Sequence, residues 1–127
     1  MWELFDGDRH RLNIAHECVD RHPAETTALR IAGADGRHHE VNFAALRAWS
    51  SRFANFLGAE GIAPGDRVGI MLEPSLAFYG GLFGTLKRGA IAVPLFTLFG
   101  PEGLALRIDD CRPRMLLVDD PDRWRSR

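Results

Sequence analysis

Chemistry in a chain of 127 residues needs side chains that can act together, so the reactive residues are read first. Five histidines, His10, His16, His22, His38 and His39, all fall in the first third of the sequence. His38 and His39 occupy adjacent positions of a strand-like run. Successive strand residues point to opposite faces, so these two cannot ligate one metal ion without distortion. They are read as solvated or edge-strand residues. The two cysteines, Cys18 and Cys111, belong to no CxxC pair, which removes support for zinc or dithiol chemistry. Cys111 is read as a small core hydrophobe on an apolar helix face. Two acidic pairs, Asp109-Asp110 and Asp119-Asp120, offer carboxylates. The second pair follows a strand, and the carboxyl end of a parallel strand is where α/β proteins build sites. The alternative reading is a solvated loop.

Phosphate chemistry leaves fewer traces still. No GxGxxG follows a strand, and neither GxxxxGK[ST] nor GxSxG occurs. The segment GGLFGTLKRG is glycine-rich, but Gly80, Gly81 and Gly84 fall on a predicted helix. Small residues there are read as permitting close helix packing rather than cradling a phosphate.

The formal net charge of −1 supplies no field to attract nucleic acid or an anionic membrane. The beginning, MWELFDGDRHR, carries no apolar core of an export signal, and the longest uncharged apolar stretch is too short and too rich in Gly and Pro to span a bilayer. With two widely separated cysteines, this leads to the expectation of reduced thiols in a cytoplasm.

The elements that must position these residues follow from periodicity. Asn13 is predicted to cap a helix with Ile14, Ala15, Cys18 and Val19 on its apolar face, ended by Pro23. ALRI (28–31) and HHEVNF (38–43) flank a glycine-bounded turn and predict a hairpin, with His39, Val41 and Phe43 on one face. The clearest helix follows, with Leu46, Trp49, Phe53, Phe56 and Leu57 at the 3.6-residue period and Gly61 as its stop. From there the order is strand (67–72), helix after Pro74-Ser75, strand (90–95), helix from Pro101, and strand (115–118). All three strands are apolar without alternation, as strands covered on both faces are. The expectation is an α/β fold: a partial doubly wound parallel sheet with flanking helices, plus an N-terminal helix and β-hairpin.

Five phrases carry the reading further. They are NIAHECVDRHP (13–23), VNFAALRAWSSRFANFL (41–57), GIAPGDRVGIML (61–72), FYGGLFGTLKRGAIAVPLFTLFGPEGL (78–104) and RIDDCRPRMLLVDD (107–120). Their order and spacing resemble the N-terminal part of adenylate-forming (AMP-binding) enzymes, and the acetyl- and medium-chain acyl-CoA synthetases in particular. LKRGAIAVPLF resembles the family's "LKAG-x-x-x-VP" motif. VNFAALR resembles its first core motif, with Phe43 where Tyr is usual. The resemblance covers about residues 2–120. It implies that 1–120 form the first lobe of the large N-terminal domain and that 121–127 are a polar tail or truncated linker.

It also implies a ligase that joins a carboxylic acid to CoA through an acyl-adenylate, with ATP, Mg²⁺ and CoA as the requirements of the full-length family enzyme. The family's phosphate-binding loop, its adenine-gripping motifs and its catalytic lysine match nothing in these residues, so no catalytic residue and no metal ligand is assigned. This chain alone is expected to bind no cofactor and to form no adenylate. Phe96 and Thr97 align near the CoA-proximal loop of acetyl-CoA synthetase relatives, where Thr97 and Leu98 depart from glycines. Arg123 and Arg125 lie near where relatives place CoA-phosphate-binding arginines. Three hypotheses stand: the leading section of an acyl-CoA synthetase, one subunit of a split ligase, and a non-catalytic interaction module that keeps the fold. The expected partner is the remainder of the ligase, in cis or in trans. An exposed apolar face or sheet edge also predicts self-association.

Overall fold

A computed structural model describes residues 1–120 of the chain. The N-terminal arm contains one short turn, Trp2–Leu4, and leads to a helical turn whose central residues, His16–Asp20, have π geometry. Asn13 starts this turn as predicted, its side-chain oxygen accepting from the Ala15 amide at 3.0 Å. The predicted apolar stripe is only half right. Ala15 and Val19 are fully buried, whereas Ile14 is half exposed and Cys18 is exposed. The i→i+5 bond from the Arg21 amide to the His16 carbonyl widens the turn around Cys18, so the 3.6-residue stripe does not carry through it.

Strands β1 (Thr27–Ala32) and β2 (His38–Asn42) form the antiparallel hairpin. Val41 alone of the expected trio is a buried strand residue; His38 and His39 are both exposed. Phe43 is instead the first residue of helix α1 (Phe43–Ala59), because Asn42 caps that helix by accepting from the Ala45 amide at 2.9 Å. Leu46, Phe53 and Leu57 of α1 are buried. Phe56 lies on the same period but is 48% exposed.

The second sheet is parallel. Strands β3 (Arg67–Met71), β4 (Ile91–Pro94) and β5 (Met115–Val118) lie in the order β4-β3-β5. Helix α2 (Leu76–Lys87) joins β3 to β4, and helix α3 (Pro101–Cys111) joins β4 to β5. Register places Val68 beside Ala92 and Met115, and Gly69 beside Val93 and Leu116. Alternation along the strands then divides the core. Val68, Ile70, Met115 and Leu117 pack with Phe53, Leu57, Phe78 and Leu82 of α1 and α2. Met71, Leu95 and Leu116 pack on the opposite face with Leu104 and Ile108 of α3. The sheet is covered on both faces, but only its centre is sealed: Ile91, at the start of edge strand β4, is 50% exposed.

The glycines of α2 seat one layer on the next. A Cβ at Gly80 would lie 2.8 Å from the Trp49 ring, at Gly81 2.7 Å from Leu117, and at Gly84 2.7 Å from the Ser50 carbonyl. Their surroundings are packed side chains and backbone, as expected of a helix-packing face. Gly89, at φ 75°, ends α2 and turns the chain into β4. Helix α3 ends on Arg112, whose φ of 44° is the one positive value of a non-glycine residue among those described. Arg67 stabilises that end by donating to the carbonyls of Cys111 at 2.7 Å and Arg112 at 3.2 Å.

Candidate functional site

Strand order defines where a ligand can enter. β4 lies on one side of β3 and β5 on the other, so the helices leaving β3 and β4 cover opposite faces of the sheet. A crevice opens at the carboxyl ends of the strands where the winding reverses. Here it is a cleft of about 420 Å³ lined by Leu72, Glu73, Pro74 and Phe78 from the end of β3 and the start of α2, and by Pro94, Leu95, Phe96 and Thr97 from the end of β4.

Two of the four sequence-assigned residues meet in this cleft. Phe96 is 61% exposed and stands edge-on to Phe99, with ring centres 5.9 Å apart. Phe99 is in turn covered by the Arg107 guanidinium, 3.8 Å above its ring, which ties the loop after β4 to α3. The Thr97 hydroxyl donates to the Glu73 carboxylate, bridging the loops after β3 and β4. Arg123 and Arg125, the other two, lie outside the described residues. Glu73 went unassigned in the sequence reading. Its position directly after an apolar parallel strand was the signal that would have found it.

The acidic pairs contribute nothing to the cleft lining. Asp109 and Asp110 are exposed on α3, and Asp119 is exposed beyond β5. Cys111 is half-buried, its carbonyl serving Arg67. Among the described residues no three His, Cys, Asp or Glu side chains gather where they could hold a metal ion. The lining includes no Lys, Arg or His. Ser75 caps α2 by accepting from the Phe78 amide at 3.1 Å, so that amide already has a partner. The cleft is therefore an apolar wall with one acidic bridge across it. It can bury an apolar group, but it offers little to stabilise developing negative charge.

An α/β lobe with a crevice at the carboxyl ends of a parallel sheet is a fold of ligand-binding enzymes, and its sequence settles which kind. Residues 15–126 match the family described as AMP-binding enzyme, and the chain belongs to that family. An acetyl-coenzyme A synthetase of Novosphingobium aromaticivorans is 36% identical over 114 residues, covering 86% of this chain and 18% of the relative. The acetyl-coenzyme A synthetase of Bradyrhizobium diazoefficiens is 34% identical over 115 residues, covering 86% and 17%. The crystal structure of a Brucella canis acyl-CoA synthetase superposes with a TM-score of 0.84 at 33% identity, covering 90% of this chain and 21% of that one. This chain thus resembles the N-terminal part of such synthetases and spans about a fifth of their length. Among the described residues no helix is long and apolar enough to cross a membrane.

Proposed function

We propose that this chain is the first lobe of the large domain of an acyl-CoA synthetase, with residues 1–120 forming the lobe and 121–127 a polar tail or linker, and that it is not catalytically competent alone. The ligase it serves would form a bond between a carboxylate oxygen and the α-phosphorus of ATP, releasing pyrophosphate. The CoA thiolate would then attack the acyl carbon and release AMP. Mg²⁺, when bound by such a ligase, offsets phosphate charge; the residues described here do not fit a site for it, and no step through it is assigned to them. In this reading the lobe supplies a wall. Phe96 and Thr97 are assigned to the CoA side of the assembled site, and Arg123 and Arg125, outside the described residues, to its phosphates. The remainder of the ligase, in cis or in trans, supplies the donors.

One observation carries the reading: the family match runs through nearly the whole chain, while the cleft lining holds no cationic side chain. The test is ATP–pyrophosphate exchange with acetate and medium-chain acids. The isolated 127-residue chain is expected to show none, and robust exchange in a clean preparation would sink the proposal. Exchange that appears only on mixing with a separate chain would assign it to a split ligase.

A further inference from the structure

The N-terminal arm is held to the domain in an unusual way. Glu17 is an acidic residue in the middle of a helical turn, yet its side chain is only 6% exposed. Its partners are the arm itself: Glu17 Oε2 accepts from the Asp6 amide at 3.2 Å and Oε1 from the Gly7 amide at 2.9 Å. Arg21, one turn later, donates to Glu17 at 2.5 Å and to the Leu4 carbonyl at 3.0 Å. One carboxylate therefore binds two successive amides of the arm and orients the guanidinium that binds a third point on it.

The arm is shaped to fit. Asp8 and Arg11 exchange backbone hydrogen bonds at 3.1 and 3.2 Å, closing a tight loop. Gly7 sits so close under this loop that a Cβ there would fall on the Arg11 carbonyl oxygen. His16 reaches the Asp6 carboxylate at 2.8 Å, and Arg21 approaches the same carboxylate at 3.5 Å. The charged groups on the neighbouring helices are engaged elsewhere. Lys87 of α2 pairs with Asp20 at 2.7 Å, and Arg47 of α1 donates to the Asp20 and His22 carbonyls. His22 bonds the Glu17 carbonyl, not its carboxylate.

We propose that residues 1–12 form a strap locked by the Glu17 carboxylate, and that neutralising this single charge releases the strap while the α/β core stays folded. Release would free Trp2, Leu4 and Phe5, three apolar residues already partly exposed. Burial pushes the Glu17 carboxyl up, but the Gly7 and Asp6 amides and Arg21 more than offset it, so its pKa lies below the ordinary 4.5. The lock is therefore complete above that ordinary value and is lost as pH falls through the lower value of the folded state.

Amide hydrogen exchange on the full 127-residue chain tests this. In Glu17→Gln the side chain keeps its size but loses one charged acceptor. The Asp6 and Gly7 amides should exchange about tenfold faster or more, the loss of charge-assisted hydrogen bonds, while the Leu95 amide, bonded to the Ile70 carbonyl at 2.8 Å, keeps its protection. Unchanged protection of Gly7, or equal loss at Leu95, overturns the proposal. Should that variant fail to fold, acid titration of the unsubstituted chain decides, with Asp6→Asn titrated beside it, because the His16 hydrogen bond holds the Asp6 carboxyl below its ordinary 3.8 as well; the loss of protection must persist in Asp6→Asn. After correction for intrinsic rates, Asp6 and Gly7 must lose protection at a higher pH than Leu95, and simultaneous loss overturns the strap. Gly7→Ala should release the arm with the carboxylate intact, and a protected Asp6 amide in that variant would equally refute it.

Discussion

Glycine 84 decides whether the glycine-rich segment packs or binds. In Gly84→Ala the new Cβ would lie 2.7 Å from the Ser50 carbonyl oxygen and 2.9 Å from Phe53 Cβ and Cδ1. Ser50 is backbone of α1 and cannot swing aside, so the two helices must separate. Overpacking of this kind costs about 1–3 kcal/mol. Against it stands a gain of roughly 1 kcal/mol from replacing a helical glycine by alanine. The net expectation is a loss of up to about 2 kcal/mol. Gly58→Ala on α1 is the control, because its Cβ would meet only the Arg88 guanidinium at 3.5 Å, an ordinary van der Waals distance. There the propensity gain stands unopposed, at about 0.5–1 kcal/mol. Urea unfolding followed by far-UV dichroism measures both. With an m-value of about 2 kcal/mol/M, the Gly84→Ala midpoint should fall by up to about 1 M at unchanged slope, and the Gly58→Ala midpoint should rise. A Gly84→Ala midpoint that rises as far as that of Gly58→Ala would refute the packing argument and return the segment to the candidates for ligand binding.

Three other outcomes follow from the same geometry. Asp66 accepts from the Ala63 amide at 2.8 Å and from Arg114 at 3.1 Å; the amide bond, opposed by burial and helped by Arg114, holds its carboxyl below the ordinary 3.8. That contribution is present above the ordinary value and lost as pH falls through the folded one, so acid unfolding curves of Asp66→Asn should be flatter than the parent's in this range. Among the described residues β4 and β5 each pair only with β3, leaving two sheet edges. Sedimentation of the chain at about tens of micromolar should show self-association, and Ile91→Lys on the β4 edge should weaken it; a clean monomer of the parent chain counts against the edge argument. Ser75→Ala removes the α2 cap and should lower stability by about 1 kcal/mol in the same urea assay.

The parts of this fold that depend on local pattern were legible in the sequence. Apolar runs between turn residues marked β3, β4 and β5, and the 3.6-residue period marked α1 and α2. Asn13 and Gly89 stand where their chemistry placed them. What pattern does not encode is which strand lies beside which. A continuous apolar run looks the same at the centre of a sheet and at its edge, so nothing local set β5 on the far side of β3 or left Ile91 half exposed. Phe56 shows the same limit on a helix: its period is right, but the surface covering α1 stops at Phe53, against which Phe56 stacks with ring centres 5.9 Å apart. The cleft was legible only through resemblance, which selected Phe96 and Thr97 but not Glu73. Glu17 was hidden for a different reason. A glutamate between His16 and Cys18 reads as a solvated helix residue, and its burial depends on an arm ten residues earlier.

If the chain is one lobe of a ligase, as proposed, the cleft defines which part of the work falls to it. Transfer at phosphorus places negative charge on oxygens that must be met by fixed donors. The wall described here provides hydrocarbon from Leu72, Pro74, Phe78, Pro94 and Leu95, an aromatic edge from Phe96, and the Thr97–Glu73 bridge. A carboxylate beside a phosphate would raise the barrier by repulsion, and Glu73, accepting from the neutral Thr97 hydroxyl, keeps its charge. The Phe78 amide, which might have met an anion at the start of α2, is held by Ser75. The Glu73 carboxylate and the Phe78 amide are thus both engaged within the lobe. The arrangement suits a surface that shapes and dries one side of a site, with the charge-bearing groups brought to it from outside these residues.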